Sequence, residues 1–300
     1  MNLAEQDDAF HPATSDQRWW SETYWFSFDD PQRGLSGTFY PLLRPNLDIA
    51  ALTVAVWAPG LDTAWTAPYY RSLWHLELPV FTDAGMQLEG LRYEVLEPLQ
   101  RYRVCYEDAG VFQADLRVSG IAENHVIVAT PEVGHWDQPT RVQGTLDFAD
   151  RSIDIDCFGM RDRSWGPRLD DNSARASYVY GIRGDASFLV VTQMGGEAHS
   201  SGGYLERDGV RSRLLDARVE VERDALQRIA RARIVATDEH GRELDTRGEP
   251  RNHIAKQASP GYFAWMSMVR WDFCGGAVGQ FQDVWSPDRL SAMAGGHLDL

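Results

Sequence analysis

Arg101-Tyr102-Arg103-Val104-Cys105-Tyr106, then Asp108-Ala109-Gly110, then Phe112-Gln113-Ala114-Asp115-Leu116-Arg117-Val118, is the stretch on which the fold turns. Tyr102, Val104 and Tyr106 alternate with Arg101, Arg103 and Cys105. Phe112, Ala114, Leu116 and Val118 alternate with Gln113, Asp115 and Arg117. A two-residue period sends one set to a buried face and the other to water or a lumen. The short Asp-Ala-Gly link is what an antiparallel hairpin needs.

The same texture extends in both directions. Leu52, Val54 and Val56 alternate, as do Leu91, Tyr93 and Val95, then Val142, Leu146 and Phe148, then Ile153 and Ile155. Ser187 to Met194, Val219 and Val221, Ile229 to Ala236, Tyr262 to Phe273 and Ala277 to Trp285 continue it, with Asp208-Gly209 as a tight hairpin signal. Helical pattern is confined to a turn near Pro287 to Met293 and a segment over residues 15–20 with Ser15 as cap. Residues 1–16 read as a loose polar lead anchored by Phe10. Many short strands with short turns predict an all-β protein of antiparallel barrels or sandwiches rather than βαβ units.

The 300 residues are long enough for two domains. The composition is 43% hydrophobic, enough for a substantial core. Twenty-nine basic against 44 acidic residues give a net charge of -15, which disfavours nucleic acid and anionic membranes. The acid excess sits in the first half. This asymmetry and the Gly- and Asp-rich stretch after Arg168 (Leu169 to Ser173) suggest domains over 1–170 and 171–300. Three widely spaced cysteines and no CxxC argue against a disulfide framework. No apolar run is long enough for a transmembrane helix, and the acidic start is unlike a secretory leader, so a cytoplasmic location is expected. Oligomeric state is left open.

One segment stands apart. His135-Trp136-Asp137-Gln138-Pro139 enters a strand, and Gly159-Met160-Arg161-Asp162-Arg163-Ser164-Trp165-Gly166-Pro167-Arg168 follows. This block resembles the signature of a bacterial family related to carotenoid 1,2-hydratases and AttH-like proteins, with lipocalin-like Diels–Alderases as more distant relatives. Tyr24 to Gly37 and Trp271 to Trp285 are similar in texture. The resemblance implies two tandem lipocalin-like antiparallel β-barrels packed together, with little helix and an apolar cavity for a lipophilic molecule.

Hydrating an alkene needs a proton donor beside an apolar pocket, aromatic faces for a cation, and a placed water. A carboxylic acid donates if burial raises its pKa. Asp162 is the candidate donor, and His135 the candidate base or holder of a substrate oxygen. Trp165, Trp136, Arg161, Trp25, Trp271 and Trp285 are candidate substrate-binding residues. Arg161, Arg163 and Arg168 bracket Asp162, which works against a neutral acid. The block also reads as a structural knot of Arg–Asp pairs with Trp165 as filling.

His135 and Asp137 share a face at i, i+2 but make an incomplete metal site, as does His75-x-Glu77, so no metal is expected. Gly195-Gly196 and Gly202-Gly203 read as turns, no phosphate-binding loop is present, and no cofactor is expected. Two functions remain open. One is a cofactor-independent enzyme that protonates an isoprenoid, terpenoid or polycyclic alkene, giving hydration, isomerisation or cyclisation. The other is a noncatalytic carrier or sensor of a hydrophobic molecule.

Overall fold

The computed structural model describes residues 3–82, 84–168, 175–195, 197–259 and 261–286. Among them there is no α-helix, only three short 3-10 turns at Glu5–Asp8, Pro45–Leu47 and Phe273–Gly275. Among the described residues no helix is long and apolar enough to cross a membrane. The expected turn near Pro287 to Met293 and the boundary stretch Leu169 to Ser173 lie outside the described residues.

Twelve strands form the first sheet: β1 (Trp20–Asp30), β2 (Leu35–Arg44), β3 (Ile49–Trp57), β4 (Tyr69–Leu76), β5 (Val80–Thr82), β6 (Gly85–Leu88), β7 (Leu91–Glu97), β8 (Arg101–Asp108), β9 (Phe112–Gly120), β10 (His125–Ala129), β11 (Gly134–Phe148) and β12 (Arg151–Pro167). Their order is β4-β3-β2-β1-β12-β11-β9-β8-β7-β6-β5, with β10 added against β11. This sheet curls as a half-barrel. Nine strands form the second: β13 (Arg175–Arg183), β14 (Ala186–Gly195), β15 (Glu197–Arg207), β16 (Val210–Arg223), β17 (Ile229–Asp238), β18 (Glu243–Pro250), β19 (Ile254–Ser259), β20 (Tyr262–Trp271) and β21 (Ala277–Trp285). It runs β18-β17-β16-β15-β14-β13-β21-β20-β19, and a β18–β20 pairing closes eight of the strands into a barrel. The chain is an all-β, lipocalin-like protein of two units.

Contacts divide the chain into Met1–Asp30, Ser36–Val56 and Pro68–Arg168 as one unit, and Pro31–Leu35, Trp57–Ala67 and Leu169–Leu300 as the other. Within the second unit, Trp57 Nε1 donates to Asn252 Oδ1 at 2.8 Å, and Asn252 Nδ2 to the Gly34 carbonyl at 2.8 Å.

Local chemistry explains the turns. Asp208 and Gly209 adopt φ of 57° and 72°, the double left-handed pair that suits a right-twisted hairpin. Gly202-Gly203, expected as a turn, instead lies inside β15. A Cβ on Gly203 would come within 2.2 Å of the Leu189 carbonyl oxygen, so close backbone approach explains that glycine. Strands β8 and β9 alternate buried and exposed as expected. Strands β1 and β3 do not: both faces are buried along nearly their whole length.

Two sequence expectations fail at the N-terminus. Residues 15–20 are not helical. The Asn46 side-chain amide donates to the Ser15 and Gln17 carbonyls, and Trp20 is already in β1. Residues 4–11 are not loose but form a strap against the sheet. Asp8, on the first 3-10 turn, is buried, and Arg161 Nη2 donates to its Oδ1 at 2.6 Å. The Phe10 and Phe81 rings meet at 4.3 Å, as befits an anchor. His11 stacks on Trp165 at 3.7 Å, its backbone N–H donating to Glu22.

Arg163 is fully buried and paired with the fully buried Glu22. Removing one member of such a pair strands the other charge, which costs about 3–5 kcal/mol. Glu22→Gln is expected to lower unfolding free energy by about that amount in urea titration. Full retention would mean that the Arg163 charge is carried by Tyr24 and the Ala9 carbonyl.

Candidate functional site

Strand β12 carries the Arg161-to-Trp165 block, and alternation splits it between two faces. Register places Phe26 opposite Arg161, Tyr24 opposite Arg163, and Glu22 opposite Trp165 on β1. On β11, Trp136 lies opposite Arg163 and Gly134 opposite Trp165. These residues share one face. The other face carries Asp162 with Trp25 and Asp137 as its cross-strand neighbours, and Ser164 with Thr23 and His135.

On this second face three titratable groups converge. His135 Nε2 lies 2.7 Å from Asp162 Oδ2 and 3.7 Å from Asp137 Oδ1. Asp137 is completely buried, while the Asp162 and His135 side chains keep 15% and 25% exposure. Beside them the Thr23 and Ser164 hydroxyls meet at 2.7 Å, and Trp25 Nε1 donates to Thr38 Oγ1 at 2.7 Å.

Burial alone would lower the His135 pKa. The charges and hydrogen bonds of Asp137 and Asp162 outweigh it and raise the imidazole to about 10. Burial alone would raise Asp162, but charge and hydrogen bonding from His135, with help from Arg168 and Asp137, hold it below the ordinary carboxyl value. These shifts favour a charged His135 ring against an ionised Asp162 at neutral pH. The pair can hold, give and take back a proton.

The sequence expectations divide here. His135 and Asp162 come together, and Asp137 joins them on the shared face. Asp162 does not have the raised pKa that a neutral carboxylic acid donor requires. Arg161 and Arg163 do not bracket it. They occupy the opposite face, because neighbours in a strand point opposite ways. The same parity takes Trp165 and Trp136 away from Asp162. Both are buried in a cluster with Trp20. Of the six proposed substrate contacts, Trp25 lies across from Asp162. Trp271 is in the core cluster of the second unit, its Nε1 donating to the Tyr180 carbonyl.

Trp285 donates to Asp283 Oδ2 at 2.8 Å, also in the second unit. Asp283 itself escaped sequence reasoning. Burial pushes its carboxyl up despite Arg223 Nη1 at 2.7 Å. The available signal was an acid at the inward parity between Phe281 and Trp285.

The expected incompleteness of a His135–Asp137 metal pair also needs correction. Asp162 arrives from the adjoining strand, and the three donor atoms lie within 4.8 Å of one another. The 2.7 Å separation of His135 Nε2 and Asp162 Oδ2 is that of a proton-bridged pair. A cation there would have to replace the bridging proton. His75 and Glu77 are exposed and join no such group among the described residues.

Comparison with known proteins bears on family and fold. The profile of a domain of unknown function, DUF7064, matches residues 4–286. No protein of curated function matches the sequence. Solved structures with this fold include an AttH-type protein from Nitrosomonas europaea, at TM-score 0.65 and 14% identity over 89% of this chain and 92% of that one. CghA aligns at TM-score 0.60 and 14% identity, over 89% and 87% of the two chains. Kievitone hydratase from Nectria haematococca aligns at TM-score 0.58 and 8% identity, over 94% and 91%. At these identities the likeness is one of fold.

The His135 charge also links the site to stability. Its folded pKa lies above the ordinary 6.5, so the stabilisation is complete below pH 6.5 and disappears as pH rises through about 10. The stability difference between the unaltered protein and His135→Gln should shrink over that window in urea unfolding. By NMR the His135 ring should titrate near 10, and Asp162→Asn should bring it down. A ring titrating near 6.5 would show that the carboxylates do not hold the proton.

Proposed function

We propose, for a chain that belongs to the DUF7064 family, that it is a proton-transfer enzyme acting on a lipophilic small molecule. The reaction is the addition or loss of water, or migration of a double bond, at a polarised C=C. The carrying observation is the 2.7 Å contact between His135 Nε2 and Asp162 Oδ2, with Asp137 behind them.

Chemistry narrows the substrate. An imidazolium with a pKa near 10 is far too weak to protonate an isolated alkene. It is suited to a carbon or oxygen that a neighbouring carbonyl has already polarised. In that setting Asp162, ionised and partly exposed, takes a proton from water or from the carbon next to the carbonyl. His135 returns a proton to the product, and Asp137 keeps the ring oriented and charged. Terpenoid or polycyclic enones fit this requirement better than plain polyenes. The Thr23–Ser164 hydroxyl pair and Trp25 supply a polar contact and an aromatic wall on the same face. That kievitone hydratase shares this fold supports the reading.

The test is mass spectrometry in oxygen-18 water with a panel of lipophilic enones and β-hydroxy ketones. The expected result is a labelled hydrate or its dehydration product, with His135→Gln and Asp162→Asn each reducing turnover by about 10²–10⁴-fold while circular dichroism stays unchanged. Turnover retained in both variants would remove this cluster from the chemistry. Recovery of an unchanged bound compound across the panel would favour the carrier.

A further inference from the structure

The opposite face of the same sheet holds a second arrangement. Arg161 and Arg163 are both fully buried. Their two countercharges differ in how they are attached. Glu22 is part of β1 and stays with the sheet. Asp8 is carried on the N-terminal strap, on the Glu5–Asp8 turn.

Asp8 sits as a bound carboxylate would. Arg161 Nη2 donates to Oδ1 at 2.6 Å, the Tyr102 hydroxyl donates to Oδ2 at 3.0 Å, and the Leu99 backbone N–H also donates to Oδ2. Tyr93 accepts from Arg161 at 3.1 Å. The guanidinium lies over the Tyr102 and Trp136 rings at 4.1 and 4.2 Å. This cradle is not used up: Arg161 Nε and Nη1 are buried and have no hydrogen-bond acceptor among the described residues. A cavity of about 210 Å³ adjoins it. Asp8, Phe10, Phe81, Tyr24, Met86 and Tyr93 form part of its wall. Asp8 and Tyr93 are thus both walls of the cavity and partners of Arg161.

We propose that Arg161, Tyr93 and Tyr102 form the head-group site for a lipophilic carboxylate, and that Asp8 of the N-terminal strap occupies this site in the closed state. When the Glu5–Asp8 turn withdraws, one guanidinium loses its countercharge, Glu22 still neutralises the other, and the site accepts one anion. The cavity, widened by the strap's departure, takes the apolar tail against Tyr24, Met86 and Phe81. The ligand and Asp8 therefore compete for the same donors. This site is separate from the His135 cluster, since the two lie on opposite faces of β12.

The competition is measurable with decanoate, using decanol as the uncharged control, by isothermal titration calorimetry. Asp8→Asn removes the competing charge while keeping the size of the side chain. It should bind decanoate about tenfold tighter or more and change decanol binding little. Equal affinity in the variant and the unaltered protein would overturn the proposal, as would an equal gain for decanol.

A second measurement uses the unaltered protein and does not depend on how the variant folds. Saturating decanoate should accelerate amide hydrogen exchange over residues 4–11, and decanol should not. Bound decanoate with unchanged exchange there would place its carboxylate elsewhere, and no binding in either protein would remove the site. His135→Gln should leave decanoate binding unaltered, so failure here and failure of the proton-transfer reading are told apart.

Discussion

Two guanidinium groups with no access to water govern the first unit. A buried charge is tolerated only when it is paired and hydrogen-bonded, because desolvation otherwise costs several kcal/mol. Arg161 and Arg163 meet that requirement with Asp8, Glu22, the Ala9 carbonyl, Tyr24 and Tyr93. Aromatic faces complete the enclosure: Tyr102 and Trp136 around Arg161, and Tyr24 around Arg163. The polar N-terminal segment is consequently drawn into the structure. It is held both by the charge it neutralises and by the Phe10–Phe81 and His11–Trp165 ring contacts.

The same strand supplies two kinds of chemistry because a β-strand has two faces. Arg161, Arg163 and Trp165 point one way; Asp162 and Ser164 point the other. Sequence neighbours are therefore not chemical neighbours. The arginines flanking Asp162 in sequence are directed away from it, and its partners come from β11. The effect on protonation is large. With His135 against it, Asp162 becomes a carboxylate that holds an imidazolium rather than a neutral acid.

The second unit follows a different economy. Its barrel closes through the β18–β20 pairing around an apolar cluster that includes Phe188, Trp271 and Phe281. Charge enters that interior at Asp283, held by Arg223 and Trp285. Here burial outweighs the neighbouring cation and raises the carboxyl pKa, the reverse of the balance at Asp162. Two buried acids in one chain thus have opposite tendencies, set by whether a partner compensates for lost water.

By itself the sequence determined what depends on local pattern. Two-residue alternation at Tyr102 to Tyr106 and Phe112 to Val118, and the Asp208-Gly209 hairpin, require antiparallel strands, because pleat and turn geometry are set by adjacent residues. The parity of His135 and Asp137 was equally legible. Tertiary structure alone decided what depends on register and on distant chain. It set Asp162 opposite Asp137, aimed Arg161 at Asp8 across more than a hundred residues, and buried both faces of β1 and β3. A one-residue shift in strand pairing would invert each of those faces, and nothing local to the block specifies which pairing prevails. The charges at this site took their values from the partners that the pairing delivered.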